Sequence, residues 1–254
     1  MWDNHRILGA IANALFGIAA ALVLCAAVWA LAHSSAFPLR AVRVEGEFLH
    51  VTRESIAQSL RGRTGGGFFT VDLGAVRAGL ETIPWVRLAE VRRAWPDSLE
   101  VYLEERVAMA RWGSPGDGRL VDTFGEIFRG DSDAALPSLA GPPGTERELT
   151  RRYVQFRELL TPLDLEPRAV TLSPRYAWQL RLSNGLAVQL GRESERQPVR
   201  ERLGRFVAFY PQTLDRLGRS FEYVDLRYPN GFALRVRDSQ HAGAPKTPRA
   251  RAGN

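Results

Sequence analysis

Asp122 and Glu126 come nearest, in this sequence, to a pair of working carboxylates. A glycoside hydrolase holds two such groups roughly 5–9 Å apart across the bond it cleaves. Nothing in the surrounding RLVDTFGEIF sets these two on opposite walls of a substrate site. The four histidines, His5, His33, His50 and His241, are scattered, with no Ser/His/Asp grouping and no metal-ligand spacing around them. His50 falls in a loop and reads as a solvated side chain. Gly65, Gly66 and Gly67 precede a helical segment, but the Gly-Lys-Ser/Thr ending of a phosphate loop is missing and the glycines follow a helix where a strand is required. They read as a turn. Cys25 is the single cysteine, so no intrachain disulfide forms. The sequence predicts no catalytic residue, no cofactor, no metal, no small-molecule substrate and hence no enzyme.

The chemistry that remains is that of the backbone. The run SFEYVDLRYPNGFALRV, residues 220–236, alternates apolar and polar residues, pauses at Pro229-Asn230-Gly231, then alternates again. That is a hairpin pattern. The strand from Gly231 onward has no later strand to lie beside it, so unless an earlier one covers it, it is a sheet edge. An edge offers a row of unpaired N–H and C=O groups, and Pro229 suits an edge better than a central strand. A partner can add a strand there, gaining main-chain hydrogen bonds while side chains set specificity.

The rest of the chain has to position that edge. Its 254 residues have room for one or two domains. The net charge is +6, and Lys246 is the one lysine, so the basic residues are nearly all arginine. They occupy polar positions of alternating segments, as Arg181 and Arg235 do, and read as solvated faces, not as a nucleic-acid stripe. Residues 7–31 carry no charge and, as a helix, would be roughly 37 Å long, enough to cross a hydrocarbon core of about 30 Å. Trp2 and Trp29 lie near its ends, where indoles favour the interface. A retained anchor is expected. A cleaved signal peptide ending at Ala30-Leu31-Ala32 is the competing reading, although the apolar run exceeds the usual 7–15 residues. A lipid on Cys25 would need a small residue where Leu24 stands. Charge does not decide orientation: Arg6 flanks one end, Arg40 and Arg43 the other.

After Phe37-Pro38, LRAVRVEG reads as a strand. TRESIAQSLRGR reads as a helix capped by Thr52, without a full capping box because Ser55 stands where Glu is usual. Asp72 starts a second helix that Pro84 stops, and two strands flank Pro96-Asp97. The order β-α-α-β-β makes a small α+β layer. From Val107 the texture changes to short strands around GSPGDG, a Pro/Gly-rich loop LPSLAGPPG, and an amphipathic helix ERELTRRYVQFRELL. AWQLRL and LAVQL follow as two strands around Asn184-Gly185, where a tight turn with positive φ at both positions is expected. A last helix, PVRERLGRFVAFYPQTL, precedes the terminal hairpin. Residues 238–254 have no periodicity and read as disordered.

The segments FPLRAVRVEG, GGFFTVDL, IPWVRLAEVRRAWPDSLEVYLEERVAMARW and YVDLRY together resemble the FtsQ/DivIB family of bacterial cell-division proteins, from the membrane helix to about Val236. The resemblance implies a cytoplasmic tail (1–6), a transmembrane helix (7–31), a POTRA domain (37–106), a mixed α/β domain with an antiparallel-rich sheet ending in an edge strand (107–237), and the tail. It implies a single-pass type II protein of the cell inner membrane, periplasmic domains outward, at the septum. Such a protein would be a divisome scaffold that helps control septal peptidoglycan synthesis, binding FtsB, with FtsL, at the last strands, and FtsK or other division proteins through the POTRA domain. Arg175 and Arg227 would then receive an acidic side chain of the partner, Tyr228 an apolar one, and Asn230-Gly231 would admit the partner backbone. Asn230 departs from the small hydroxyl residue usual at its place. A six-residue cytoplasmic tail leaves little material for contacts there. The alternative is a POTRA-bearing envelope transport or assembly component, but those carry repeated units or a barrel, and one unit is found here.

Overall fold

The computed structural model describes residues 5–32, 37–114, 116–213, 221–228 and 231–236. Two compact units, Met1–Arg106 and Val107–Asn254, divide the chain.

The first unit opens with helix α1, His5–Ala32. Its segment Gly9–Leu31 is long and apolar enough to cross a membrane, and fits a single-pass membrane protein. Strand β1 (Ala41–Glu45), helices α2 (Arg53–Leu60) and α3 (Leu73–Leu80), and strands β2 (Val86–Ala94) and β3 (Ser98–Glu105) follow. The sheet order is β1-β3-β2, with β1 parallel and β2 antiparallel to β3. Ile56, Leu60, Val76 and Leu80 from the helices bury against Leu99, Val101 and Leu103. Thr52 caps α2 through a reciprocal pair: its Oγ1 accepts from Ser55 N–H and Ser55 Oγ accepts from Thr52 N–H, both at 3.2 Å. The box is therefore complete, contrary to the sequence expectation, because a hydroxyl accepts there as a carboxylate would. Strict alternation fails at the start of β2 for a physical reason: the register slips between Val86 and Leu88, so Val86 and Ala89 share the buried face.

In the second unit, β4 (Ala108–Trp112), β5 (Arg119–Asp122), β6 (Ile127–Arg129) and β7 (Ser138–Ala140) lead to helix α4 (Glu146–Leu160). Then come β8 (Pro167–Leu172), β9 (Ala177–Leu182), β10 (Ala187–Arg192), helix α5 (Val199–Thr213), β11 (Phe221–Asp225) and β12 (Ala233–Val236). One sheet runs β12-β11-β10-β9-β8-β7-β4-β5-β6, mixed but mostly antiparallel. Burial alternates cleanly in β9, where Trp178, Leu180 and Leu182 are buried and Gln179 and Arg181 exposed. Helices α4 and α5 cover the apolar face, α4 over β7 and β8 and α5 over β10. Phe156 of α4 meets Trp178 edge to face, ring centroids 5.7 Å apart. The whole is an α+β protein.

Two strands escape a reading by pattern. LPSLAGPPG is not all loop: its SLA forms β7, parallel to both β4 and β8. Three residues cannot display a period. PRAVTL forms β8, with its proline at the first strand position, where no ladder donor is lost. The turn at Asn184-Gly185 also differs from expectation. Only Gly185 has positive φ, +84°. Gly185 N–H donates to Leu182 O and Leu182 N–H to Leu186 O, both at 2.9 Å, a three-residue loop whose left-handed last position takes glycine.

Candidate functional site

β12 ends the sheet. Among the described residues its one strand neighbour is β11, in the antiparallel register Asp225↔Ala233, Val224↔Leu234, Tyr223↔Arg235. The strand directions decide what stands at one end of this edge. β11 runs parallel to β10, with Gln189 opposite Asp225, and β9 runs against β10, with Ala177 opposite Arg192. The end of β11, the end of β10, the start of β9 and the start of β12 therefore lie at the same end of the sheet. Arg227 follows β11, Arg192 closes β10, and Arg175 stands in the turn just before β9. The two arginines singled out in sequence thus rise from strands two apart, roughly 10 Å.

Arg227 is not a free cation. Its Nε donates to Asp225 Oδ1 at 2.9 Å and its Nη2 to Oδ2 at 2.6 Å, while its backbone N–H reaches Oδ1 at 3.0 Å. The Asp225 side chain is 6% exposed and that of Arg227 60%. Hydrogen bonds from Arg227 hold the Asp225 carboxyl below its ordinary 3.8, against burial, which pushes the other way. The same pair raises the Arg227 guanidinium. Folding therefore favours the carboxylate. The pair's stabilisation is present above about pH 4 and is lost as pH falls through the lowered folded value. D225N is expected to lower stability at pH 7 and to flatten the acid limb below pH 4; thermal melts from pH 7 to 2.5 read both.

Gly191 holds the pair in place. Its φ is +76°, and a Cβ there would lie 2.8 Å from Arg227 Cγ and 3.3 Å from Arg202 Nη1. G191A combines a left-handed strain of roughly 1 kcal/mol with displacement of Arg227. A loss of about 1–3 kcal/mol is expected in denaturant unfolding; a variant as stable as the parent would refute the packing argument.

Tyr228 does not join the core. It is 54% exposed, because β11 ends at Asp225 and Leu226 is the last buried residue of the run. Gly231 is exposed, and a Cβ there would meet nothing within 4 Å, so nothing within the described fold requires glycine. Asn230 and Pro229 lie outside the described residues, as do 1–4 and the tail from 237. On the helix-covered face beside the edge, Phe206, Phe209, Leu226, Gly231 and Phe232, with Arg202 and Arg205, line a groove of about 360 Å³.

Sequence reasoning missed Tyr176. It stands next to Arg175, 56% exposed, with φ +59°. Tyr176 N–H donates to Ser173 O at 2.8 Å and Ser173 N–H to Ala177 O at 2.9 Å. The loop repeats the geometry of 183–185 with a bulky residue in the position glycine fills there, an uncommon placement. The signal available was a turn, SPRY, without glycine. Elsewhere Asp122 is fully buried and braces a turn, Oδ1 accepting from Phe124 N–H and Glu126 N–H at 2.9 Å each. His50 is not simply solvated: Nδ1 lies 2.6 Å from Glu105 Oε1 and its ring stacks on Trp85 at 3.7 Å.

Comparison with known proteins gives this edge its context. Residues 37–106 match the POTRA domain of FtsQ type, and residues 110–227 match the C-terminal region of the cell division protein FtsQ/DivIB. The chain is 43% identical over 239 residues to the cell division protein FtsQ of Burkholderia pseudomallei, covering 93% of this chain and 94% of that one. The chain belongs to the FtsQ/DivIB family. FtsQ of Nitrosospira multiformis is 41% identical over 92% of this chain and 99% of its own, and FtsQ of Neisseria gonorrhoeae 30% over 92% and 95%. The FtsQ/DivIB match stops at Arg227, so Tyr228, Gly231 and β12 lie beyond it. These are cell-division proteins by name, and this chain is one of their family.

Proposed function

We propose that the chain is a non-enzymatic scaffold of the divisome, anchored by α1 in the cell inner membrane with the domains that follow α1 in the periplasm. It links early and late division proteins and helps control septal peptidoglycan synthesis. FtsB, together with FtsL, docks by adding a strand to β12, and FtsK or other division proteins meet the POTRA sheet. One observation carries the reading: the last strand of a nine-stranded sheet has a described neighbour on one side and none on the other. Such an edge attracts a strand. The groove beside it supplies a place for apolar side chains, and Tyr228 an exposed ring.

The charge part of the reading has a specific shape. Arg227 already faces a carboxylate, so an acidic partner side chain meets Arg227 through N–H groups that Asp225 leaves over, and Arg175 carries more of the attraction. R175E is expected to weaken co-purification with FtsB about tenfold, in line with a charge pair at an interface, without lowering stability, since Arg175 is exposed. R227E adds a second effect by setting a carboxylate beside Asp225. If FtsB is retained by both R175E and the R175E/R227E pair, the arginines are not the receptor.

A further inference from the structure

The first unit carries an aromatic cluster that neither the fold nor the strand-addition reading uses. Phe37, Phe69 and Trp95 come from three separate segments: the chain leaving α1, the loop before α3, and the β2–β3 hairpin tip. Phe37 packs on Phe69 at 5.2 Å and on Trp95 at 6.3 Å, and Phe68 packs beneath Trp95 at 5.9 Å. Phe68 is buried, but Trp95 is 70% and Phe69 45% exposed. Single exposed apolar residues are ordinary; a cluster built from three segments at one end of a domain calls for a reason.

Its position supplies one. Ala32 ends α1, and the five residues to Phe37 reach at most about 17 Å. The emerging chain is then pinned to both other segments. Phe68 N–H donates to Phe37 O at 2.8 Å, Pro38 bridges Gly67, and Arg40 N–H donates to Asp97 O at 2.8 Å. Arg93 fixes the loop from the other side, donating to Phe68 O at 2.8 Å and Val71 O at 2.9 Å. The aromatic tip therefore cannot swing away from the membrane exit without breaking the fold. Indole rings favour the boundary between headgroups and acyl chains, having an apolar body and one N–H donor.

We infer that Trp95 and Phe69 insert into the interfacial layer of the bilayer that α1 crosses, seating the first folded unit on the lipid surface. The occupant of this patch is lipid. The inference rests on α1 spanning the membrane. The opposite end of the same sheet gives an internal control: Leu49 is 92% exposed, and its N–H is held by Glu105 at the far end of β3, roughly 25 Å from the tip.

The test uses the full chain in nanodiscs of phosphatidylethanolamine and phosphatidylglycerol, with an environment-sensitive dye on one cysteine at a time. Native Cys25 reports insertion of α1; F69C, W95C and L49C, each with C25S, report the domain. The expected result is blue-shifted emission at 25, 69 and 95, with most of it lost to spin-labelled lipids, and water-like, unquenched emission at 49. Two probes on different segments keep the test alive should one substitution unfold the unit. Quenching at 25 with water-like emission at 69 and 95 would overturn the interfacial seat alone. A blue shift at 95 without lipid quenching would assign the patch to protein contact and overturn it too. An unquenched Cys25 would instead remove the spanning helix on which the inference stands.

Discussion

Trp178→Ala is expected to destabilise the second unit by about 3–5 kcal/mol, the range for a buried tryptophan. Trp178 is 2% exposed, packs edge to face on Phe156, and has the Arg152 guanidinium 5.9 Å from its ring centroid. An indole buries on the order of 150–250 Å², and here it joins α4 to the middle of the sheet. Removing it leaves a cavity between a helix and strands that hold each other's register, so neither side can collapse freely. For a unit of this size the loss is a fall in Tm of roughly 10 °C. Calorimetry on the chain should show it in the transition of the second unit only. W178F keeps the ring stack and should lose less than half as much. A W178A melting point within 2 °C of the parent, on the same scale, would mean that the core is organised otherwise.

The second large effect concerns the edge. Along β12, N–H groups point alternately towards β11 and away from it, so adjacent positions differ in which side they serve. Proline at Leu234 and proline at Arg235 should therefore separate two functions. The one whose N–H faces β11 breaks the ladder at a cost of about 1–3 kcal/mol, because an acceptor on β11 is left unpaired. The other leaves the fold nearly intact, yet withdraws a donor from the incoming strand and sets a ring against it. For that variant, capture of FtsB should fall ten- to a hundredfold, with Tm unchanged. L234A corrects for the partly buried leucine side chain that L234P also removes. If neither proline reduced capture, strand addition at β12 would be the wrong docking mode, whatever the fate of the arginines.

The two proposals about partners differ in what supports them. The edge reading follows from topology. The charge reading depends on side chains, and there the fold changed the terms: Arg227 looked like a surface cation and is a member of an ion pair. A pattern of alternating residues shows that Asp225 and Arg227 share a face. It does not show that the carboxylate is buried and chelated, which depends on Gly191 of β10 leaving room for the arginine stem.

Legibility in the sequence tracked the length of the repeating unit. Both long amphipathic helices, α4 and α5, were readable because a dozen or more residues display the 3.6 period. β3 and β9 were readable because a single buried face imposes strict alternation. The capping by Thr52 and Asp72 was readable because it is local. β7 was hidden because three residues carry no period, and β8 because its register shifts between Pro167 and Ala169 and breaks strict alternation.

By itself the sequence determined the membrane-length apolar helix, the β-α-α-β-β order, the amphipathic helices and the terminal hairpin, since all of these are set by neighbours within a few residues. Tertiary structure alone decided that β12 ends the sheet, that Arg175, Arg192 and Arg227 gather at one end, that Asp225 neutralises Arg227, and that Phe37, Phe69 and Trp95, from three separate segments, meet. Those facts depend on which distant strands lie side by side and in which direction, and strand order is fixed by the joint burial of one apolar face, a property no short window of residues contains.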